Sequence, residues 1–192
     1  MASTKPGQRK TQILQALAAM LEQPKSEKVT TAALAARLDV SEAALYRHFA
    51  SKAQMYEGLI EFIESSVFGL VNQIVEREDQ GVEQAHATVQ MLLQFAAANP
   101  GMTRVLIGDA LINEDERLQL RMNQFYDKLE LAFRQALRIA ASQAHGVEAD
   151  VAARASLLVC YVVGRWHRYA RSGFRQHPTE GFALQASLLL AA

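Results

Sequence analysis

The stretch Val40–Lys52, VSEAALYRHFASK, decides the fold class because it reads as a short helix that cannot stand alone. Ser41 is a natural N-cap, an alanine-rich middle follows, and the helix ends near residues 46–49 before another begins at Ser51. An isolated helix needs about 12 to 15 residues to be even marginally stable in water. Other helices must therefore support this one from behind.

The two faces of this short helix differ in chemistry. A period of 3.6 residues puts Ser41, Leu45 and Phe49 on one side, which we expect to pack on the two preceding helices. The opposite face combines small residues with long polar side chains, namely Ala43, Ala44, Tyr46 and Arg47. Such a face can approach another surface closely.

The residues before this stretch predict two supporting helices. The first covers about residues 9–23 and is broken by PKSEK at 24–28. Thr30 or Thr31 can cap a second helix, AALAARL, which ends at a tight turn on Asp39 and Val40. Two short helices joined by such a turn predict a helix-turn-helix whose second helix enters the major groove of DNA.

The rest of the chain keeps the helical period and shows no hairpin signal, so the fold class is predicted to be all-α. Ser51-x-x-Gln54 reads as a capping box that opens a fourth helix, which extends to about residue 78. Further helices are expected at about 82–98, 102–112, 114–144, 148–172 and 179–191. We divide the chain into a DNA-binding domain, residues 1–52, and a helical dimerisation and partner-binding domain, residues 53–192.

Charge is unevenly distributed, although the formal net charge of the 192 residues is zero. Residues 1–52 hold eight Lys/Arg against four Asp/Glu, and the remainder holds twelve against sixteen. A basic N-terminal part joined to an acidic remainder suggests that the N-terminal part binds a polyanion.

The single cysteine, Cys160, allows no intramolecular disulfide and fits a reducing compartment. It is expected to be buried within the apolar run LLVCYVVG. That run is far shorter than the roughly 18 residues of a membrane span, so no membrane association is expected.

Arg47 is the candidate for direct base readout, because a guanidinium can fork onto the major-groove acceptors of guanine. Ala44 lies beside it and permits close approach. Hydroxyl, imidazole and ammonium groups nearby are candidates for phosphate contacts, namely those of Thr30, Thr31, Ser41, Tyr46, His48 and Lys52. The helix dipole disfavours Lys52 in the first turn of the fourth helix unless an anion accompanies it.

This combination resembles the TetR family of bacterial DNA-binding regulators. The matching residues are Val40, Ser41, Leu45, Tyr46, His48, Phe49, Ser51 and Lys52. The resemblance implies a three-helix DNA-binding head on a larger helical bundle. Asp39 departs from the glycine common in the turn of this family, but aspartate tolerates the left-handed conformation, so we expect the turn to survive.

A narrower resemblance covers nearly the whole chain. LIEFIE, NPGMTR, RLQLRMNQ and RYARSGFRQHPTEGF are similar to the nucleoid-occlusion members of the family, which block assembly of the cell-division protein FtsZ. It implies a cytoplasmic, nucleoid-associated protein with a partner surface on the fourth and fifth helices, comprising Phe62, Leu70, Met91, Gln94, Ala98 and Asn99. Phe62 and Asn99 match these relatives, whereas Leu70 and Ala98 stand where arginines are expected.

The last two helices carry apolar residues on more than one face, which predicts a homodimer and hence a palindromic DNA site. A transcriptional repressor that a small ligand releases from DNA is the alternative. Six residues could line the ligand pocket of such a repressor: Met91, Phe95, Met102, Met122, Phe125 and Tyr126. We favour the other interpretation, in which they form ordinary core.

We predict no enzyme, metal or cofactor. Glu114, Asp115 and Glu116 read as the acidic first turn of a helix, the histidines lack ligand spacing, and there is no P-loop or nucleophile elbow. A cluster of basic residues lies towards the end of a predicted helix and contains Arg165, His167, Arg168, Arg171 and Arg175. It could bind nucleic acid a second time, or its cations could complement the helix dipole. We favour the second, structural role.

Overall fold

The computed structural model describes residues 6–23, 29–143 and 150–190, in which every regular element is helical. The all-α prediction is confirmed. In chain order the helices are α1 (Pro6–Leu21), α2 (Thr31–Arg37), α3 (Glu42–Tyr46), α4 (Lys52–Arg77), α5 (Gly81–Ala98), α6 (Pro100–Leu106), a short 3₁₀ helix (Asp109–Leu111), α7 (Glu116–Gln143), α8 (Val151–Arg171) and α9 (Phe182–Leu190).

One predicted helix is divided in two. The sequence indicated a single helix over residues 102–112, but α6 ends at Leu106 and a 3₁₀ turn begins at Asp109. Gly108 between them has a φ of 77°, a left-handed conformation that an α-helix cannot contain. The predicted break at residues 24–28 and the predicted helix ends at 144, 148 and 191 lie outside the described residues.

Two compact units make up the chain. The first contains Met1–Ile63 and Asn99–Arg121, and the second contains Glu64–Ala98 and Met122–Ala192. The boundary that we placed after residue 52 falls inside the first unit. That boundary marks the end of the expected DNA-binding residues, and it stays a prediction.

The first unit has its core between α1, α2, α3, the start of α4, and α6. Ile13, Leu17, Leu34 and Leu45 are buried there. Helix α6 packs so closely on α1 that a Cβ at Gly101 would lie 1.9 Å from the Ala18 carbonyl oxygen. Only glycine fits at that position of NPGMTR, because any side chain would overlap the backbone of α1.

The second unit is centred on the packing of α5 against α8. The indole Nε1 of Trp166, which is fully buried, donates to the Leu92 carbonyl at 3.1 Å. The Tyr169 hydroxyl donates to the Ala97 carbonyl at 3.2 Å, which satisfies a carbonyl that the end of α5 leaves without a helical partner. Phe182 of α9 stacks on His86, with their ring centroids 5.1 Å apart.

Among the described residues one helix, α4, is long and apolar enough to cross a membrane by length and composition. Its buried residues recur every three or four positions, as at Leu59, Ile63 and Val67, while Glu61 and Glu76 interrupt the exposed face. This alternation is typical of a core helix in a helical protein.

Cys160 is exposed, so the expectation that it is buried was wrong. The apolar residues of LLVCYVVG occupy more than one face of α8, and only the face with Leu158 and Val162 meets the core. Cys160 lies on the outward side, as do Leu157 and Gly164.

Candidate nucleic-acid interface

Local signals set the geometry of α2, the turn and α3. Thr30 caps α2 by accepting the Ala33 N–H at 3.1 Å, and Ser41 caps α3 by accepting the Ala44 N–H at 3.3 Å. Asp39 has a φ of 52°, as expected of an aspartate in place of glycine. The amides of residues 39 and 40 donate back to Ala36 and Ala35, which is the Schellman arrangement for ending a helix.

Helix α3 presents the surface that its pattern predicted, with one exception. Leu45 and Phe49 are buried, whereas Tyr46 and Arg47 are exposed. Ser41 is exposed rather than inward, because the N-cap residue lies outside the helix and does not follow its phase. Ala43 is exposed and Ala44 is half-buried, so little stands between the backbone of α3 and an approaching surface.

Phe49 anchors α3 from behind. A Cβ at Gly58 of α4 would lie 3.0 Å from the Phe49 ring and 3.5 Å from Leu14 of α1. The ring therefore lies against the backbone of α4, and the Lys10 ammonium lies 5.6 Å from its centroid. A helix as short as α3 is therefore stabilised by its packing on the rest of the first unit.

The hydroxyl groups of Thr30, Thr31 and Ser41 differ in whether their O–H can still donate a hydrogen bond to a phosphate. Those of Thr30 and Ser41 accept a backbone N–H, which leaves each O–H available for a phosphate. The Thr31 hydroxyl donates to a carboxylate oxygen of Glu42 at 2.5 Å. A phosphate contact from Thr31 would have to displace that bond. His48 is half-buried beside the exposed Arg47.

Ser51 and Gln54 form a shifted capping box at the start of α4. Ser51 Oγ accepts the Gln54 N–H at 3.1 Å, as expected. The Gln54 side chain, however, accepts the N–H of Ala50 at 2.8 Å, whereas the usual box uses the N–H of the capping residue itself.

Lys52 forms an ion pair with a carboxylate of the same chain. Its ammonium lies 2.5 Å from a carboxylate oxygen of Glu114, and the two side chains are only 22% and 10% exposed. The ammonium also lies 5.6 Å from the centroid of the Tyr56 ring. Burial, and secondarily the charge of Glu114, raise the pKa of Tyr56 well above its usual value, so this phenol stays neutral. Glu114 thus offsets the unfavourable interaction between Lys52 and the positive end of the helix dipole.

This pairing corrects the prediction for residues 114–116. Helix α7 begins at Glu116, and Asp115 caps it by accepting the Arg117 N–H at 3.1 Å. Glu114 precedes the helix and is bound to Lys52, so it is not part of an acidic first turn. Arg117 pairs with Glu57 at 3.1 Å, so both the segment just before α7 and the first turn of α7 form an ion pair with α4.

Both halves of the chain match known families. Residues 13–59 match the bacterial regulatory proteins of the tetR family, and residues 79–192 match the SlmA-like tetracyclin repressor-like C-terminal domain. The chain belongs to the TetR family. TetR-family proteins are DNA-binding regulators and not enzymes, and membership supports both DNA binding and dimerisation.

Individual relatives narrow the assignment to SlmA-like TetR regulators. The nucleoid occlusion factor SlmA of Alteromonas mediterranea is 45% identical over 183 residues, or 95% of this chain and 94% of that protein. SlmA of Idiomarina loihiensis is 47% identical over 178 residues, or 92% of this chain and 91% of that protein. The fold is shared with the fatty acid degradation regulator FadR of Bacillus halodurans, at a TM-score of 0.79, 14% identity, and coverage of 100% and 98%.

The residues that the narrower resemblance, to the nucleoid-occlusion members, assigned to partner binding fall in both units. Phe62 and Asn99 lie in the first unit, where Phe62 is 38% exposed and Asn99 is half-buried. In the second unit Leu70, Gln94 and Ala98 are exposed and Met91 is half-buried. Gln94 and Ala98 line one shallow cleft, together with His177 and Thr179.

Sequence reasoning missed the carboxylates that occupy two of the candidate DNA contacts. Glu42 binds Thr31 and Glu114 binds Lys52. The position of Lys52 indicated the second of these pairs, since the helix dipole disfavours a lysine in a first turn unless an anion accompanies it. The residue that supplies the anion, however, is 62 positions away in the sequence. Within the described residues no group of three His, Cys, Asp or Glu side chains is placed to hold a metal ion.

Proposed function

We propose that this protein is a sequence-specific DNA-binding nucleoid-occlusion factor that inhibits FtsZ assembly over the chromosome. The observation that carries the proposal is 45–47% identity, over more than nine-tenths of the chain, to proteins named nucleoid occlusion factor SlmA. Such a protein acts in the cytoplasm on the nucleoid, as a dimer on a palindromic site.

The exposed face of α3 supports sequence-specific binding. Arg47 and Tyr46 stand beside the small Ala43 and Ala44, so the helix can enter the major groove and place a guanidinium on base edges. Thr30, Ser41 and His48 flank this face with groups suited to phosphates. In the proposed function, Arg47 selects the sequence and the flanking groups fix the register.

We expect Arg47→Ala to lose base discrimination. One bidentate base contact is worth about 1 to 3 kcal/mol of discrimination, or roughly 5- to 150-fold in affinity. Affinity for the palindrome should fall by this factor at each of its two half-sites, while affinity for a scrambled duplex should fall much less. Titration of both duplexes with Arg37→Ala, an exposed arginine at the end of α2, as the control would test this. Equal losses on both duplexes would remove Arg47 from direct readout.

We expect Lys52 to exchange Glu114 for a DNA phosphate. Lys52→Ala should then weaken binding to matched and scrambled duplexes alike and reduce the salt slope by about one unit for each protomer of the dimer. Glu114→Gln should strengthen binding to both, because it removes the competing carboxylate. Titrations at several salt concentrations, with melting curves for each variant, would measure these effects. If both variants only lower the melting temperature and leave the salt slope unchanged, Lys52 is solely a structural partner of Glu114.

Inhibition of FtsZ requires a test of its own. FtsZ should be sedimented after GTP addition, with this protein alone, with the palindrome alone and with both. The proposed function requires less FtsZ polymer with both than with either alone, because DNA binding and partner binding are expected to be coupled by about 1 to 3 kcal/mol. Unchanged polymer in all three mixtures would contradict it.

A ligand-released repressor is the second candidate, because the second unit contains a cavity of about 590 Å³. Two side chains that line it, Gln84 and Thr88, are polar and buried. The remaining lining residues come from α4 and α7: Phe68, Val71, Asn72, Val75, Lys128, Leu131, Ala132, Gln135, Ala136, Arg138 and Ile139.

None of the six residues that the sequence offered for a ligand pocket lines this cavity. Met122 and Phe125 are among them and are buried in the core, as we favoured, whereas the other four are half-buried. A compound that raises the melting temperature and also releases the palindrome would favour the repressor. Binding of DNA that no such compound alters, together with loss of FtsZ polymer, favours nucleoid occlusion.

A further inference from the structure

The end of α8 is a strongly cationic part of an otherwise acidic body. Residues 151–179 contain five arginines and no aspartate or glutamate. The other residues between 53 and 192 contain seven Lys/Arg and sixteen Asp/Glu. The arginines are therefore concentrated where the local sequence supplies no carboxylate.

Two of the five arginines have structural roles. Arg165 donates to the carbonyl oxygens of Pro178 at 2.8 Å and Glu180 at 2.7 Å, which fixes the loop between α8 and α9. Arg154 donates to the Leu190 carbonyl at 3.2 Å. For Arg165 the structural role that we favoured is confirmed.

The other three arginines line an open cleft of about 500 Å³ and are exposed. The cleft residues are His167, Arg168, Arg171, Ser172, Arg175 and Gln176, here called the α8-end cluster. In the part of the chain that the structure describes, the side chains of Arg168 and Arg171 make no hydrogen bond or ion pair. Arg175 uses its Nε to bind the Ser172 carbonyl at 2.9 Å, which leaves most of its N–H groups for another partner.

The helix dipole does not account for this much charge. The carboxyl end of a helix is equivalent to about half a negative charge, whereas the cluster carries three guanidinium groups. A guanidinium is always ionised and offers a planar fork of donors that matches phosphate oxygens. The cluster is therefore suited to more than one phosphate group.

We propose that the α8-end cluster is a second DNA contact, which binds backbone phosphates outside the helix-turn-helix. All six lining residues are polar or charged, and three of them are arginines, so the cleft offers charge and hydrogen bonds beside the apolar parts of the same side chains. Protein interfaces depend on buried aromatic or aliphatic anchors, whereas binding to the nucleic-acid backbone depends on charge. The three guanidinium groups therefore favour a polyanion over an acidic protein segment, and DNA is the polyanion that this family binds, so the inference rests on the proposed function.

The test uses the whole 192-residue chain and a 60-base-pair duplex with one central palindrome. The double variant Arg168→Gln/Arg171→Gln removes two side chains that have no hydrogen-bond or ion-pair partner among the described residues, and it keeps the bond between Arg175 and Ser172. Because the dimer carries two copies of the cluster, the salt slope of binding should fall by about four units, so the loss of affinity between 50 and 200 mM NaCl should be on the order of 100-fold smaller than for wild type. The preference for palindrome over scrambled sequence should not change, because phosphate contacts carry no sequence information.

The control is Arg77→Gln/Arg138→Gln, which removes the same charge from two exposed arginines elsewhere in the second unit. It should leave the slope close to the wild-type value. A wild-type slope in the double variant, with native melting, would overturn the proposal. Loss of binding to vesicles of phosphatidylglycerol or loss of FtsZ binding, each with an unchanged slope, would overturn it and assign the cluster elsewhere. Arg168 and Arg171 continue the outward side of α8 that carries Gly164, so dissociation to monomer in sedimentation velocity would also overturn it, whatever the slope. Failure of wild type to prefer the palindrome would instead count against the proposed function.

Discussion

Phe62→Ala is expected to remove most FtsZ binding while the fold and DNA binding stay intact. Phe62 is 38% exposed on α4, whereas Phe125 and Phe133 are buried in the core. A central apolar residue of a protein interface costs about 2 kcal/mol or more when truncated, which lowers affinity by roughly 30-fold. Truncation of a core phenylalanine costs about 3 to 5 kcal/mol of folding stability. The two roles therefore separate in binding and melting measurements on the same variant.

Two control variants make the result specific. Leu120→Ala truncates another exposed apolar side chain of the first unit and should leave FtsZ affinity unchanged. Phe133→Ala should lower the melting temperature strongly. If Phe62→Ala melts early like Phe133→Ala, then Phe62 is structural. If its FtsZ affinity equals that of wild type in the presence and absence of the palindrome, then Phe62 does not contribute to the partner surface.

The sequence predicted well those features that local signals determine. The cap at Ser41, the left-handed Asp39 and the cap at Ser51 each depend on residues within a few positions of one another. Backbone donors at a helix start need an acceptor from the neighbouring sequence, and a short polar side chain supplies it. For this reason the helix-turn-helix and its exposed face could be predicted before the fold was known.

Features that depend on distant parts of the chain could not be predicted in the same way. Lys52 indicated that an anion was needed, but sixteen carboxylates follow it in the sequence, and nothing local selects Glu114. Gly108 interrupts a run whose apolar pattern otherwise continues, so periodicity alone joined α6 to the 3₁₀ helix. A glycine within an apolar pattern does not itself tell whether its φ is positive.

Cys160 shows a different limit of pattern reasoning. An apolar residue is expected to be buried, but a single chain cannot distinguish burial in its own core from burial against another subunit. Three leucines of the second unit are well exposed: Leu157 at 61%, Leu184 at 71% and Leu188 at 75%. They lie on α8 and α9, the two helices that the sequence assigned to the homodimer, and the side of α8 that carries Leu157 also carries Cys160. These outward residues are the expected subunit contact.

We therefore expect Leu157→Glu/Leu188→Glu to convert the dimer to monomer. In a two-fold interface each substituted residue occurs twice, so the double variant buries four carboxylates if the dimer forms. An unpaired buried charge costs several kcal/mol, and a total of only about 3 kcal/mol already raises the dissociation constant by more than 100-fold. Sedimentation velocity at micromolar concentration should show a dimer for wild type and a monomer for the variant.

DNA binding should change in a way that only loss of the dimer explains. Two recognition helices read half-sites about one helical turn apart or a multiple of it, so a monomer should lose the palindrome but keep the weak affinity of wild type for a single half-site. Leu120→Glu places the same charge on an exposed leucine of α7 and should remain dimeric with full affinity. A wild-type protein that sediments as a monomer, or a double variant that stays dimeric, would contradict an interface built from α8 and α9.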